Sequence, residues 1–482
     1  MKTRTLTSQD REFFSLVSKA AFTNPFSRDR IEVDRVIIRD TTDRPWAAIR
    51  PETIREVTQR IAALDRQKPV TIRDYKKDDS RLIENAFLFD EYHKLNTRFD
   101  EFIVAQAGAR EKSLKVPFAK PAIDALVVRG IAPAQASRYF SLFYQIRRAF
   151  YFIHKGLIGQ SPCMKKLRED LWNNIFTYSI DQYQRYLWDR MEDFSTLLLG
   201  PTGCGKGTAA AAIGKSGFIP FDEKTGSFAR SFTETFVAAN LSQFAETLLE
   251  SELFGHARGA FTGAVDSHDG LFTLCGRYGS IFLDEIGDIT HHVQLKLLKV
   301  LEERIFSPVG SHSRLRFHGR VIAATNLDVD KLLQQGKFRS DFYYRLCSDS
   351  IYVPSLRQRI AEHPDELDEL IAHTIANITG RDSDELMTIV KDVIARQLGP
   401  DYPWPGNVRE LAQCIRRIII KRDYQPPQTE QSPLEGDLTQ SDLTAADLLN
   451  KYCKILYEKH KTLEKVAKIT HLDRRTVKKY LT

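Results

Sequence analysis

Two segments of this 482-residue chain have the residue types and spacing to handle a phosphate group. The first is Gly200-Pro201-Thr202-Gly203-Cys204-Gly205-Lys206-Gly207-Thr208, between the apolar run 196–199 and the alanine-rich stretch 209–213. Strand, glycine-rich loop and helix in that order make a P-loop. The glycines let backbone N–H groups close on phosphate oxygens, and the helix N-terminus adds partial positive charge. Lys206 is placed to reach the β- and γ-phosphates. The second segment is Ser280-Ile281-Phe282-Leu283-Asp284-Glu285, an apolar strand ending in two acids. Parallel sheets bind ligands at the C-terminal ends of their buried strands. Asp284 suits magnesium, directly or through water, and Glu285 suits polarising an attacking water. The chemistry is in-line hydrolysis of a γ-phosphate, carried by positioning and charge neutralisation. The general motif has Ser or Thr directly after the lysine to hold magnesium. Here Gly207 takes that place, and a part for Thr208 is left open.

Further polar groups recur at strand or helix ends. Phe236–Asn240 reads as a strand whose final Asn240 is a natural N-cap for a helix from Leu241 onward. Arg320–Asn326 reads as another strand with a polar end. In Phe338–Leu346, Arg339 and Arg345 offer permanent charge and a fork that holds two phosphate oxygens; a surface helix with pairs to Asp341 is the plainer reading. Between the two phosphate-handling segments lies Gly259-Ala260-Phe261-Thr262-Gly263-Ala264. Its glycines permit positive φ and its alanines keep the loop slim, so Phe261 and Thr262 alone have anything to grip. A lone segment of this kind is a turn whose Phe folds back into the core. Placed inside a nucleotide site, it reads as a lever moved by the nucleotide.

Those six residues resemble, in full, the signature loop of the bacterial enhancer-binding proteins, the AAA+ activators of sigma-54 RNA polymerase. The resemblance covers residues 157–424 and, less closely, the last 40 or so. It implies ATP and Mg2+ at the P-loop, with Asp284 on the metal, and sigma-54 contact by Gly259, Ala260, Phe261, Thr262, Gly263 and Ala264. It makes Asn240 a switch that restrains Glu285, and Thr325-Asn326 a first sensor near the γ-phosphate. Arg339 and Arg345 become fingers reaching a neighbouring subunit's ATP, which requires a homo-oligomeric ring, hexameric by resemblance. Gly159–Met164 resembles the family's lead-in to the motor, and Phe306–Phe317 its second moving loop, a hairpin. Val353–Arg359 resembles the hinge into a helical lid, with the usual acidic pair altered to Ala361-Glu362-His363. Trp404-Pro405-Gly406-Asn407-Val408-Arg409-Glu410-Leu411 resembles the start of the last lid helix, where Arg409 contacts nucleotide and Trp404 packs.

The elements that must position these groups give an α/β fold. It is an AAA+ P-loop domain with a parallel sheet at 157–352 and a helical lid at 353–424. A mostly helical region at 1–156 precedes it. A Pro- and Gly-containing linker at 425–443 leads to an all-α helix-turn-helix at 444–482. In the first region Pro51 is read as opening a helix, Val70-Thr71-Ile72 as a short strand, and Asp78-Asp79 as lying in a polar loop. Aromatic stripes along 82–104 and 133–153, including Phe143, Ile146 and Phe150, are read as core. The acids and lysine of a phospho-receiver are not found there, so the signal it senses is not legible. Tyr183, Tyr186, Leu187 and Trp188 are read as one helix face in an insertion at 176–194. At the C-terminal end, Val466, Ala467, Leu472, Val477 and Leu481 supply apolar contacts. Asp473 caps the last helix, and His471 replaces the family's turn glycine. Arg474, Arg475, Lys478 and Lys479 line that helix and suit double-stranded DNA, an upstream activating site by resemblance; a basic solvated tail is the plain alternative.

Hydrophobic content of 42% and charged content of 28% describe an ordinary globular protein, and the length predicts about three domains. Six cysteines without a C-x-x-C pair, no apolar signal core and no 18-residue apolar run point to the cytoplasm. The expected function is ATP-driven conversion of the closed sigma-54 promoter complex to the open one. An AAA+ remodeller or helicase without a sigma-54 role is the alternative, and would need polymer-threading pore aromatics instead of the Phe-Thr loop.

Overall fold

The computed structural model describes residues 4–42, 44–66, 69–109, 112–426 and 444–481. Its strands are β1 (Thr196–Leu199), β2 (Phe221–Asp222), β3 (Ser227–Phe228), β4 (Phe236–Asn240), β5 (Ser280–Asp284), β6 (Ile305–Phe306), β7 (Leu315–Arg316), β8 (Arg320–Thr325) and β9 (Asp349–Tyr352). Five of them pair in the order β4-β5-β8-β1-β9, every pair parallel. The near-continuous apolar runs of β1, β5 and β8 are what a strand covered on both faces requires. Successive side chains point to opposite faces. Leu198, Phe282, Ile322 and Ile351 enter one core, and Leu197, Ile281, Leu283 and Val321 enter the other. The second core is closed by helices that include Glu246–Phe254, His291–Glu303 and Ser340–Leu346.

The first core is closed by the P-loop helix Lys206–Gly214 and by helices from the N-terminal part of the chain. The N-terminal part has helices α1 (Ser8–Phe22), α2 (Arg28–Ile38), α3 (Trp46–Leu64), α4 (Lys77–Ala109), α5 (Ala119–Val128), α6 (Pro133–Gly156) and α7 (Pro162–Phe176), of which α1 to α3 bury mainly in a separate core around Phe14, Val33 and Val57. Helices α4 to α7 share one continuous core with the sheet: Phe99, Phe140 and Tyr144 bury beside Ala210, Ile213 and Phe228. The Tyr144 and Phe228 rings stack with centroids 4.0 Å apart. Arg148 on α6 is fully buried and donates to Lys215 O (2.6 Å) and Gly217 O (2.7 Å), just past the P-loop helix. Packing therefore runs across the expected boundary at 156/157. Residues up to Ile420 form one compact unit and Lys421–Thr482 a second.

Several sequence expectations shift. The helix carrying Pro51 begins earlier, at Trp46, and Pro51 lies inside it. The hydrogen bond it forgoes falls near the helix start, where little is lost. Val70-Thr71-Ile72 is not a strand. A 3-10 turn, Ile72–Asp74, forms instead, closed by a reciprocal cap between Thr71 and Asp74. Asp78 and Asp79 belong to the first turn of α4, and buried Asp79 accepts from Arg11 Nε and Leu6 N, both at 2.9 Å. The acids are there because a helix N-terminus favours negative charge. Residues 183–187 wind as a short π-helical turn with Tyr183 fully buried and Tyr186 66% exposed, so they do not share a face.

The lid consists of Leu356–Glu362, Glu366–Thr379, Asp384–Gln397 and Asn407–Lys421. Where the usual acidic pair is altered, Glu366 takes over and forms a buried ion pair with Arg359. Glu366 also accepts from Ser161 N at 2.7 Å, tying the lead-in segment to the lid. Gly159 is obligatory at that junction: its φ is +117°, and a Cβ there would lie 2.2 Å from the Glu366 carboxylate.

The second unit has helices Ala445–His460, Leu463–Thr470 and Arg474–Leu481, closed around Cys453, Leu456, Val466 and Val477. Asp473 caps the last helix, accepting from Arg475 N at 2.8 Å. His471 adopts the left-handed conformation (φ 54°) that a turn glycine would take without strain. From residue 427 on, the expected linker lies outside the described residues.

Candidate functional site

Strand β1 delivers the chain into the loop 200–205, and the helix Lys206–Gly214 carries it away. Gly203 (φ +75°) allows the lid to approach, since a Cβ there would lie 2.3 Å from Gly406 O. Lys206 is buried, and its Nζ donates to Gly200 O (2.9 Å) and Pro201 O (3.2 Å). The ammonium is thus held within the loop whose backbone is shaped for phosphate.

Parallel register brings the polar strand ends to one edge, and Asn240 pairs directly with Asp284. Glu285 comes next in a left-handed conformation, φ 58°, which turns its side chain away from the strand direction. Its Oε2 is buried and has no hydrogen-bond partner. Burial first, and then the Asp284 charge, push the Glu285 carboxyl above its ordinary value; Lys206 pulls the other way. A carboxylate with one buried oxygen left without a partner, beside a second acid, is a costly arrangement that a cation and a bound water would relieve. The site therefore fits Mg2+ and a nucleotide. Asn326 Nδ2 donates to Thr202 Oγ1 at 2.8 Å, which puts the expected first sensor on the P-loop. Asn240 Oδ1 accepts from Ser242 N (3.0 Å) and Ser242 Oγ (2.7 Å), so here its side chain caps the next turn, and no bond joins it to Glu285.

A cavity of about 560 Å³ adjoins the P-loop helix, with Gly156, Ile158, Gly205, Val353, Asn377 and Val408 in its wall. Thr208 lines it too. Gly207 leaves no side chain where a magnesium-binding hydroxyl would stand. Sequence reasoning gave no role to Asn407. It is buried, donates from Nδ2 to Thr202 O (2.9 Å) and accepts from Leu356 N (2.8 Å), so it clamps lid, hinge and P-loop together. Its signal was its place at a helix start inside the Trp404–Leu411 motif. Arg409 N donates to Gly203 O at 3.3 Å, and its side chain is exposed. Trp404 is 3% exposed and packs edge-on against Tyr402.

The helix Glu246–Phe254 leads from the Asn240 end of β4 to the loop 255–264. Gly259 N donates to Ala264 O (2.8 Å) and Ala264 N to Phe261 O (3.0 Å), closing a tight turn. Phe261 is 39% exposed and leans edge-on against His256, 5.0 Å away, instead of entering the core. Thr262 is exposed. The loop is fastened to the hairpin β6–β7: Ala257 N donates to Val309 O (3.0 Å), and Val309 N donates to Gly255 O (2.8 Å). A Cβ on Gly310 would meet the Ala260 Cβ at 2.6 Å.

Residues 165–352 match the sigma-54 interaction domain, and residues 361–447 match the AAA+ ATPase lid domain. This chain is a member of the sigma-54-dependent activator family of AAA+ proteins. The Nif-specific regulatory protein of Azotobacter vinelandii is 38% identical over 274 residues, 57% of this chain and 46% of that one. The anaerobic nitric oxide reductase transcription regulator NorR of Aeromonas salmonicida is 36% identical over 264 residues, 55% of this chain and 45% of that one. The chain thus spans about half the length of the curated relatives it matches. Among solved structures, NtrX from Brucella abortus matches with a TM-score of 0.41 and 20% identity, over 75% of this chain and 79% of that one, too loosely to carry an argument.

Resemblance to the sigma-54 activators also singles out Arg339, Arg345 and the four basic residues of the last helix. Arg339 forms a two-pronged pair with Asp341 (3.0 and 2.7 Å). Arg345 donates through Nε and Nη2 to Leu301 O (3.1 and 2.9 Å). Arg345 is exposed and Arg339 half-buried. Arg474, Arg475, Lys478 and Lys479 are exposed on the last helix, where Arg474 pairs with Glu464 at 3.0 Å. Among the described residues, no helix is long and apolar enough to cross a membrane.

Proposed function

We propose that this chain hydrolyses ATP and uses the work to convert the closed sigma-54 polymerase–promoter complex to the open one, from the cytoplasm and while bound to upstream double-stranded DNA. The observation that carries this reading is the unpartnered, buried Glu285 Oε2 at the P-loop edge, in one compact unit with an exposed Phe261-Thr262 tip. Glu285, once ionised, accepts a proton from the water that attacks the γ-phosphate. Lys206 and the loop N–H groups hold the phosphates, and Asn326 stands where it reads the γ-phosphate. Asp284 would hold magnesium, which supplies charge neutralisation of the phosphates when bound. Asn240 has both an edge position beside Asp284 and a covalent path, through Glu246–Phe254, to the loop. Exchanging Ser242 for Glu285 as its partner would couple the site to that loop. Arg339 and Arg345 act in trans across a hexameric ring, leaving Asp341 and Leu301 O. Arg409 meets nucleotide from the lid, and Arg474, Arg475, Lys478 and Lys479 meet DNA phosphates and bases.

The test is promoter opening by sigma-54 polymerase with the purified full chain, with and without ATP. ATP-dependent opening is expected, and ring assembly with ATP turnover but no opening would move the reading to a remodeller of another target. The full chain is required, because removing residues 1–156 strips α6 from the motor's own core.

A further inference from the structure

The N-terminal helices enclose a cavity of about 80 Å³ that no part of the ATPase reading uses. Its wall is largely aromatic, with Phe22, Trp46, Phe89, Tyr92, Phe143 and Phe150 among the lining residues. Two guanidiniums, Arg30 and Arg50, also line it, and no carboxylate does. Arg30 is 6% exposed, pairs with Asp34 at 3.0 Å and donates to Ala20 O at 2.8 Å, yet its Nη2 has no partner. Asp34 is already shared, since Trp46 Nε1 donates to it at 2.8 Å. Arg50 lies over the Trp46 and Phe150 rings, 5.3 and 5.2 Å from their centroids. Its one hydrogen-bonding neighbour among the described residues is the Asn96 amide oxygen at 3.2 Å, with that amide turned to satisfy its surroundings. Behind this pair, Arg147 is held by Asp100, and its buried Nη1 is also unpartnered. Arg30 and Arg147 thus have one carboxylate each, and half-buried Arg50 has none, a cation only partly screened by water. The imbalance marks a place for one negative charge beside an apolar body.

We propose that this cavity binds a small organic carboxylate, its charge at Arg50 on the side of Arg30 and its apolar body, about one ring or less, among the aromatic side chains. A carboxylate suits the wall better than a phosphate, which would need more donors than two guanidinium edges supply. The site is wired to the motor. Helix α6 turns Phe143, Ile146 and Phe150 to the cavity, while its Gln145 and Arg148 hold Ser216 O, Lys215 O and Gly217 O beyond the P-loop helix. An occupant that shifts α6 shifts the segment anchoring that helix. This coupling rests on the ATPase reading, whereas the binding does not.

The experiment is calorimetric titration of the full chain, without nucleotide, using benzoate and isovalerate as probes. Benzyl alcohol (ring without charge) and acetate (charge without body) are the controls. At least one probe binds saturably at one per chain, about tenfold or more tighter than either control. Arg50→Gln and the cavity-filling Ile146→Phe each weaken it about tenfold or more, with circular dichroism showing that the variant compared is folded. No saturable binding of either probe at millimolar concentration, equal binding of benzyl alcohol, or full affinity in either folded variant overturns the proposal. The bound probe also changes the ATP turnover of the full chain by about twofold or more, and does not change that of Ile146→Phe. Turnover unaffected by a bound probe ends the coupling and leaves the binding. No turnover under any condition counts against the ATPase reading instead.

Discussion

The helices at the two ends of the chain bury their apolar faces in different places. Helices α4 to α7 bury Phe99, Phe140, Tyr144 and Trp172 in the core that also holds Leu198 of β1 and Ile213 of the P-loop helix. The C-terminal helices bury Cys453, Leu456, Val466 and Val477 among themselves. A region that completes the motor's core can act on the nucleotide site through packing, because close-packed interiors transmit strain. A region with its own core is a module, able to fold and bind independently of the motor's state.

Arg148→Ala is the strongest way to break this contrast. It leaves two carbonyls beyond the P-loop helix unpaired and empties a fully buried site, where burial already pushes the guanidinium down to about 10. Urea unfolding should show a loss of at least about 3 kcal/mol, with weakened nucleotide binding. Unchanged stability would mean that α6 is only lightly joined to the motor. Glu285→Gln probes the edge which that core supports. Hydrolysis should fall about 100-fold or more with nucleotide binding retained. The sign of its stability effect comes from the raised Glu285 carboxyl. The folded state holds this proton more tightly than the unfolded one, so the ionised form is destabilising. That penalty is full above the raised folded value and fades as pH falls through it toward the ordinary carboxylate value. Thermal melts should therefore find Glu285→Gln more stable than the parent at neutral pH, with the gap closing on acidification.

Thr262→Ala separates motor from output. Exposed and remote from the core, Thr262 should leave ATP turnover within about twofold while promoter opening is lost, since surface changes barely move the fold. At the C-terminal module, Arg475→Ala and Lys478→Ala should each reduce the salt dependence of DNA affinity by about one unit of slope, read by titrations at several salt concentrations. The smallest effect sharpens the contrast most. Ending the chain after Pro426, which keeps the whole lid helix and the buried Tyr424, should change the unfolding free energy of the remainder by less than about 0.5 kcal/mol, because the second unit carries its own core. A large loss there would make the two ends alike.

Much of the motor was legible before any coordinates. Strands β1 and β4 fall at the residues read for them, and the P-loop helix, the Phe306–Phe317 hairpin and the last three helices arise close to where the pattern put them. The misreadings are at Pro51, Val70–Ile72, Asp78-Asp79 and Tyr183–Trp188. In the last three, a local signal competed with a partner distant in sequence. Asp79 is drawn in by Arg11, Ile72 N by Arg129 O, and Tyr183 by Gln145. Glu366 as the partner of Arg359 was equally hidden, because the motif placed its acids directly after the arginine.

By itself the sequence determined the elements and the chemistry they carry. Hydrophobic periodicity, glycines in the P-loop and loop 259–264, and acids at a strand end are all encoded within a few neighbouring residues. Only the tertiary structure decided that Glu285 Oε2 is stranded without a partner, that Asn240 turns to Ser242, that the loop is fastened to the hairpin through Gly310, and that α6 belongs to the motor's core. Each of these depends on burial, and burial is set by every segment that packs against a residue, most of them far away along the chain.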